Sequence, residues 1–169
     1  TTGYLLAGFV GGVDGLGDAH NFAHYGVDLQ AFIHLGLGPR MLWLRFWGEG
    51  VTGNLDEVPF YELPYLGGDF LRGYDFARFR NRVSGLLTAQ YLWDVQRSVD
   101  AFLFADVGRV YSSLDDVTLS GLRAGFGGGF QLQSSSGWAA AISLASSIDG
   151  GLFLTATLTP YWNEVPRWR

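Results

Sequence analysis

Hydrophobic and polar residues alternate along most of this chain. Leu152, Leu154, Ala156 and Leu158 interleave with Phe153, Thr155, Thr157 and Thr159, a period of two over the length of a strand. Leu122, Ala124, Phe126, Gly128, Phe130 and Leu132 hold one parity, and Arg123, Gly125, Gly127, Gly129 and Gln131 hold the other. The same two-residue period runs through Tyr25, Val27, Leu29, Ala31 and Ile33, and through Val83, Leu87, Ala89, Tyr91 and Trp93. It predicts eight strands: Gly3–Asp14, Phe22–Leu35, Arg40–Thr52, Arg80–Asp94, Arg97–Tyr111, Thr118–Ser134, Gly137–Ile148 and Gly151–Trp162. No segment of helical period interrupts them. They exceed the usual strand of about five or six residues and match the roughly ten needed to cross a membrane obliquely.

The connections alternate in length. Leu35–Pro39, Asp94–Gln96 and Ser134–Ser136 are short, while Gly15–Asn21, Gly53–Phe79 and Ser112–Val117 are longer. Ile148–Gly151 is tight although it falls on the long-loop side. An even strand count with short turns on one side and longer loops on the other predicts an all-β fold, an antiparallel up-and-down transmembrane β-barrel of about eight strands. Residues 1–169 then form a single barrel domain, with both termini on the periplasmic side. Leu152, Leu154, Ala156 and Leu158 are expected to face lipid, and Thr155, Thr157 and Thr159 the lumen.

Composition sharpens this choice. The chain is 48% hydrophobic and only 16% charged, yet its longest apolar run, Tyr4 to Val13, is too short for a membrane helix and lacks the cationic start of a signal peptide. A soluble sandwich also alternates, but its polar parity should carry Lys, Glu and Asp. Here that parity is Gly, Ser, Thr and Gln with scattered Arg and Asp, which suits a crowded lumen. Arg45, Glu49, Arg72, Asp106 and Arg123 are expected to find opposite charges inside, because an isolated buried charge is costly. Aromatics near strand ends (Tyr4, Tyr25, Trp43, Trp47, Tyr91, Trp93, Tyr111, Trp138, Tyr161, Trp162) read as interfacial girdles. All 11 basic residues are Arg against 16 acids, a net charge of -5, so no nucleic-acid partner is expected; outer-membrane lipid is. The absence of cysteine excludes disulfides and thiolate metal sites.

The Gly53–Phe79 segment is too rich in aromatic residues to stay in water as a plain linker, and it is expected to fold toward the lumen. Within it, Leu71-Arg72-Gly73-Tyr74 resembles the V-R-G-F motif of the sixth extracellular loop in BamA/TamA-type outer-membrane assembly proteins, a superfamily that includes surface antigens and two-partner secretion transporters. Phe104-Ala105-Asp106-Val107-Gly108 matches that family's F-x-D-x-G motif, on the next-but-one strand after the loop. The likeness runs from Arg40 to Trp162 and is only architectural before that. It implies that Arg72, with Gly73 and Tyr74, lies inside the barrel and that Arg72 meets Asp106 on the strand motif of Phe104 and Gly108. Gln90 stands where the family commonly has a Glu, a further contact without charge. It also implies the C-terminal half of a barrel of about twice as many strands, ordinarily preceded by periplasmic repeats, and a bacterial outer-membrane location. The start at Thr1-Thr2-Gly3 reads as a cut from something longer.

Other chemistry is thin. His24 and His34 lie too far apart on one strand to share a metal with His20 and Asp28. Ser134-Ser135-Ser136 has no nucleophile motif around it, and Gly125–Gly129 alternates within a strand, leaving space for bulky lumen neighbours instead of cradling a phosphate. No cofactor, metal or catalytic residue is expected. The resemblance points to outer-membrane protein assembly as lineage, and the reduced size to a membrane anchor. A surface enzyme and a half-barrel that pairs with a second copy into a larger translocation pore are the alternatives, and an N-terminal periplasmic domain is a further expected partner.

Overall fold

The computed structural model describes residues 3–13, 22–36, 38–53, 58–96, 98–133 and 138–160. Its elements are β1 (Gly3–Val13), β2 (Phe22–His34), β3 (Arg40–Val51), the short β4 (Tyr65–Leu66) and β5 (Phe79–Arg80), then β6 (Val83–Gln96), β7 (Val99–Tyr111), β8 (Arg123–Gln133), β9 (Trp138–Ser147) and β10 (Leu152–Pro160). The long strands form one 8-stranded sheet in the order β1-β2-β3-β6-β7-β8-β9-β10, and β4 and β5 pair in a hairpin of their own. Each long strand runs antiparallel to its neighbour. The helices among the described residues are two single 3-10 turns, Phe60–Glu62 and Leu114–Asp116.

The two parities become two faces. Leu87, Leu103, Phe126, Phe130 and Leu154 are exposed on the outer face, while Ser84, Thr88, Gln90, Phe102, Phe104 and Asp106 are buried on the face that carries the long loop, the inner face. On β10, Phe153 packs with Phe102, Phe104 and Ala145, so the odd positions point inward, and Leu152, Leu154 and Leu158 are exposed. The side chains of Trp138 and Thr159 are not described, and Tyr161 and Trp162 lie outside the described residues.

Three expectations change. Trp43 and Trp47 are not girdle residues: they share the parity of Arg45, and Trp43 donates from Nε1 to Gln30 on the inner face, while Trp47 stacks on Phe70 of the loop. The strand expected from Arg80 divides at Asn81-Arg82, because Arg80 pairs with Tyr65 in the loop hairpin before β6 begins. The strand expected from Thr118 begins at Arg123, after a turn in which Gly121 takes φ +68°, a left-handed conformation that favours glycine.

Among the described residues the sheet is open: β1 and β10 each have one hydrogen-bonded neighbour. The physical reason lies on the inner face. A closed eight-stranded barrel is just wide enough for its own side chains, whereas this face also carries the loop. Leu66, Leu71 and Tyr74 from the loop pack with Leu86 of β6 in a buried cluster, flanked by Trp47, Phe70, Phe79 and Val110. The loop therefore takes space that closure by eight strands would need for their own side chains.

Because Leu154 faces outward, Leu154→Arg should lower stability in lipid by about 2–4 kcal/mol, and Thr155→Arg by clearly less. Equilibrium unfolding in vesicles measures both, and equal losses would contradict the assignment of faces.

Candidate functional site

The loop is joined to the wall through one guanidinium. Arg72 Nε donates to Asp106 Oδ2 at 2.7 Å and Nη2 to Asp106 Oδ1 at 2.8 Å, a bidentate pair. Nη1 donates to Gln90 Oε1 at 2.8 Å, and the Arg72 backbone N–H adds a bond to Asp106 Oδ2 at 3.1 Å. The guanidinium plane lies 3.6 Å from the centroid of the Phe104 ring, within cation–π reach. The Asp106 side chain is 1% exposed and that of Arg72 20%. Asp106 and Thr88 are register partners, as are Gln90 and Phe104, so all four stand on the inner parity of the adjacent strands β6 and β7. Gln90 brings an acceptor to the third nitrogen but no second negative charge.

Each neighbour in the two motifs has a steric task. A Cβ on Gly108 would come 2.7 Å from Gly85 O and 3.0 Å from Leu66 Cδ1, so glycine leaves the space that Leu66 fills. Gly73 takes φ +94°, and a Cβ there would overlap the Ser146 carbonyl of β9. A Cβ on Gly125 would overlap the carbonyl oxygen of Arg72 itself, so the loop backbone rests directly on β8. Leu71 is fully buried at φ +114°, strained for a residue with a Cβ. Gly67 N–H to Phe70 O at 2.8 Å and Gly68 N–H to Tyr74 O at 3.0 Å close the turn that presents Arg72.

Tyr74 makes the second attachment. Its hydroxyl donates to Asp149 Oδ2 at 3.0 Å, and Asp149 also pairs with Arg123 Nη1 at 2.8 Å. Burial pushes the Tyr74 phenol above its ordinary value of 10.0, and the hydrogen bond to Asp149 adds to the rise. A third contact lies on β2 and β3. Arg45 forms a bidentate pair with Asp28 at 2.9 and 3.0 Å, and its guanidinium lies 5.5 Å from the ring of Phe70 in the loop.

The structure thus brings Arg72, Gln90, Phe104 and Asp106 to one point, with Gly73, Tyr74 and Gly108 around them. Arg45, Glu49 and Arg123 meet Asp28, His24 and Asp149 respectively. His34 lies at the opposite end of β2 from His24, and His20 falls outside the described residues. Phe70 is one of the loop aromatics expected to leave water, whereas nothing in the sequence singled out Asp149. The tight turn at Asp149-Gly150-Gly151, out of place among the long loops, was the available signal for it.

The profile of the Omp85 superfamily domain matches residues 1–144. The match takes in the first two strands, which carry neither motif, and ends before β10. No curated protein matches the chain.

Arg72→Ala should destabilise the protein by about 1–3 kcal/mol, because it leaves Asp106 buried without its guanidinium donors. Gly125→Ala, which adds one methyl group, should cost a similar amount, about 1–3 kcal/mol, by pushing the loop backbone off β8. Urea unfolding in detergent measures both; losses under about 0.5 kcal/mol would place the loop away from the wall. The Tyr74 contribution should be present below pH 10.0 and fade as pH rises through its higher folded value. Phenolate absorbance during an alkaline titration follows it, and Tyr74→Phe should remove that late-titrating phenol.

Proposed function

Because the chain belongs to the Omp85 superfamily, whose members are outer-membrane proteins of an assembly and translocation lineage, we propose that it forms part of the wall of an outer-membrane assembly barrel, with the BamA-type loop seated inside. The observation that carries this reading is the open sheet. Among the described residues, β1 and β10 each leave one edge of N–H and C=O groups without a strand partner, along a wall that a membrane would surround. In lipid such edges must be paired, and a strand edge is also the surface on which an extended client segment adds by backbone hydrogen bonds. β1 suits this role: Tyr4, Leu6 and Val10 are exposed, and the strand carries no charge to repel an incoming chain.

The wall is completed by a second copy of the chain or by further strands of a longer polypeptide that also bears the periplasmic domain. Arg72 and Asp106 keep the loop on the inner face, so the lumen stays occupied while the edges exchange partners. The role is assembly and not enzymatic turnover.

The test is insertion of an unfolded client barrel into vesicles holding this protein. We expect faster client folding than in empty vesicles, loss of that acceleration in Leu6→Pro, where the edge can no longer offer a regular ladder, and a native particle mass that reports one or two copies. Client folding no faster than in empty vesicles would contradict assembly and leave an anchor.

A further inference from the structure

A groove of about 580 Å³ crosses the outer face at the long-loop end of the strands. Gly48 and Gly85, register partners on β3 and β6, form its floor, with Phe46 and Leu87 beside them and Leu119 and Leu122 of the β7–β8 loop along one side. A Cβ built on Gly85 meets nothing within 4 Å, so the floor is open. The groove reaches from Val10 on β1 to Tyr111 on β7, four strand spacings or roughly 19 Å. No further strand can dock on this floor through its backbone, because β3, β6 and β7 are paired on both sides.

One cation stands at its margin. Arg109 Nη1 donates to the Ser120 carbonyl, between Leu119 and Gly121, and its guanidinium lies 5.4 Å from the ring of Tyr111, a groove residue. Among the described residues Arg109 makes no ion pair. Of the acids in the same loop, Asp115 and Asp116 are exposed, and Asp116 accepts from Ser113 Oγ. Arg109 sits two positions before the end of β7, at the long-loop end of that strand. The remaining guanidinium donors suit a phosphate.

The geometry points to a site for one phosphorylated, acylated lipid of the outer leaflet, of the lipid A type, with an acyl chain in the groove and a phosphate on Arg109. This inference rests on the outer-membrane reading above. An apolar groove alone would exchange chains freely with the bilayer. The cation at its mouth, where charge and chain axis meet, is what selects the occupant.

Native mass spectrometry of the detergent-solubilised protein with added lipid A, its dephosphorylated form and phosphatidylethanolamine tests the site. One lipid A should be retained per chain, with the other two retained about ten-fold less. Gly85→Phe, which fills the groove, and Arg109→Gln should each reduce retention of lipid A about ten-fold. Arg109→Lys should recover part of it, and Leu103→Ala, on the outer face beyond the groove, should leave it unchanged. If Gly85→Phe does not fold, Arg109→Gln decides. Equal retention of the three lipids, or undiminished retention in Arg109→Gln, overturns the site. A wild-type protein that fails to enter vesicles overturns the outer-membrane reading itself, an outcome separate from loss of selectivity in an inserted protein.

Discussion

Asp106 is a carboxylate set in the wall of a sheet, 1% exposed, and the loop architecture follows from satisfying it. An isolated charge at that depth is costly, and neither Gln90 nor the neighbouring Thr88 supplies a positive partner. Arg72 does, but only if the loop delivers it to the inner face with the guanidinium plane fixed. The delivery explains features that look unrelated in the sequence. Leu71 holds a left-handed backbone at φ +114°, at roughly 1–3 kcal/mol of strain, and its fully buried side chain anchors it there. Gly73 and Gly125 remove the methyl groups that would strike β9 and the loop itself. Phe104 supplies the flat surface under the guanidinium.

Seating a loop on the inner face has a consequence for the wall. Leu66, Leu71 and Tyr74 occupy space that a closed eight-stranded barrel would need for its own side chains, so the loop and closure by eight strands compete. The open edges at β1 and β10 and the filled interior are two aspects of one geometry. The inward glycines of β8 belong to it as well: a Cβ at Gly127 or Gly129 would come 2.8 Å from the rings of Phe104 and Phe102 respectively.

Strand positions were legible because a sheet with one lipid-facing side imposes a strict two-residue period, as in Leu152 to Leu158. The residues that meet at the guanidinium were legible from two motifs and from the parity of Asp106 and Gln90. Closure was not, since pairing of the first and last strands depends on curvature and on what fills the interior, neither of which local alternation records. Trp43 and Trp47 were misplaced because aromatic position near a strand end was weighed above their shared parity with Arg45. Asp149 was not legible because its partner Tyr74 is distant in sequence. The hairpin of Tyr65–Leu66 with Phe79–Arg80 is too short for any period to show.

A double-mutant cycle between Arg72 and Asp106 tests the central claim most directly. Arg72→Ala, Asp106→Ala and the double variant are unfolded by urea in the same lipid, and the coupling energy is read from the three differences. Direct, desolvated pairing predicts a coupling of about 1–3 kcal/mol, with the double variant less destabilised than the sum of the singles. A coupling within about 0.3 kcal/mol of zero would contradict it, and would mean that the loop is held by its apolar cluster alone.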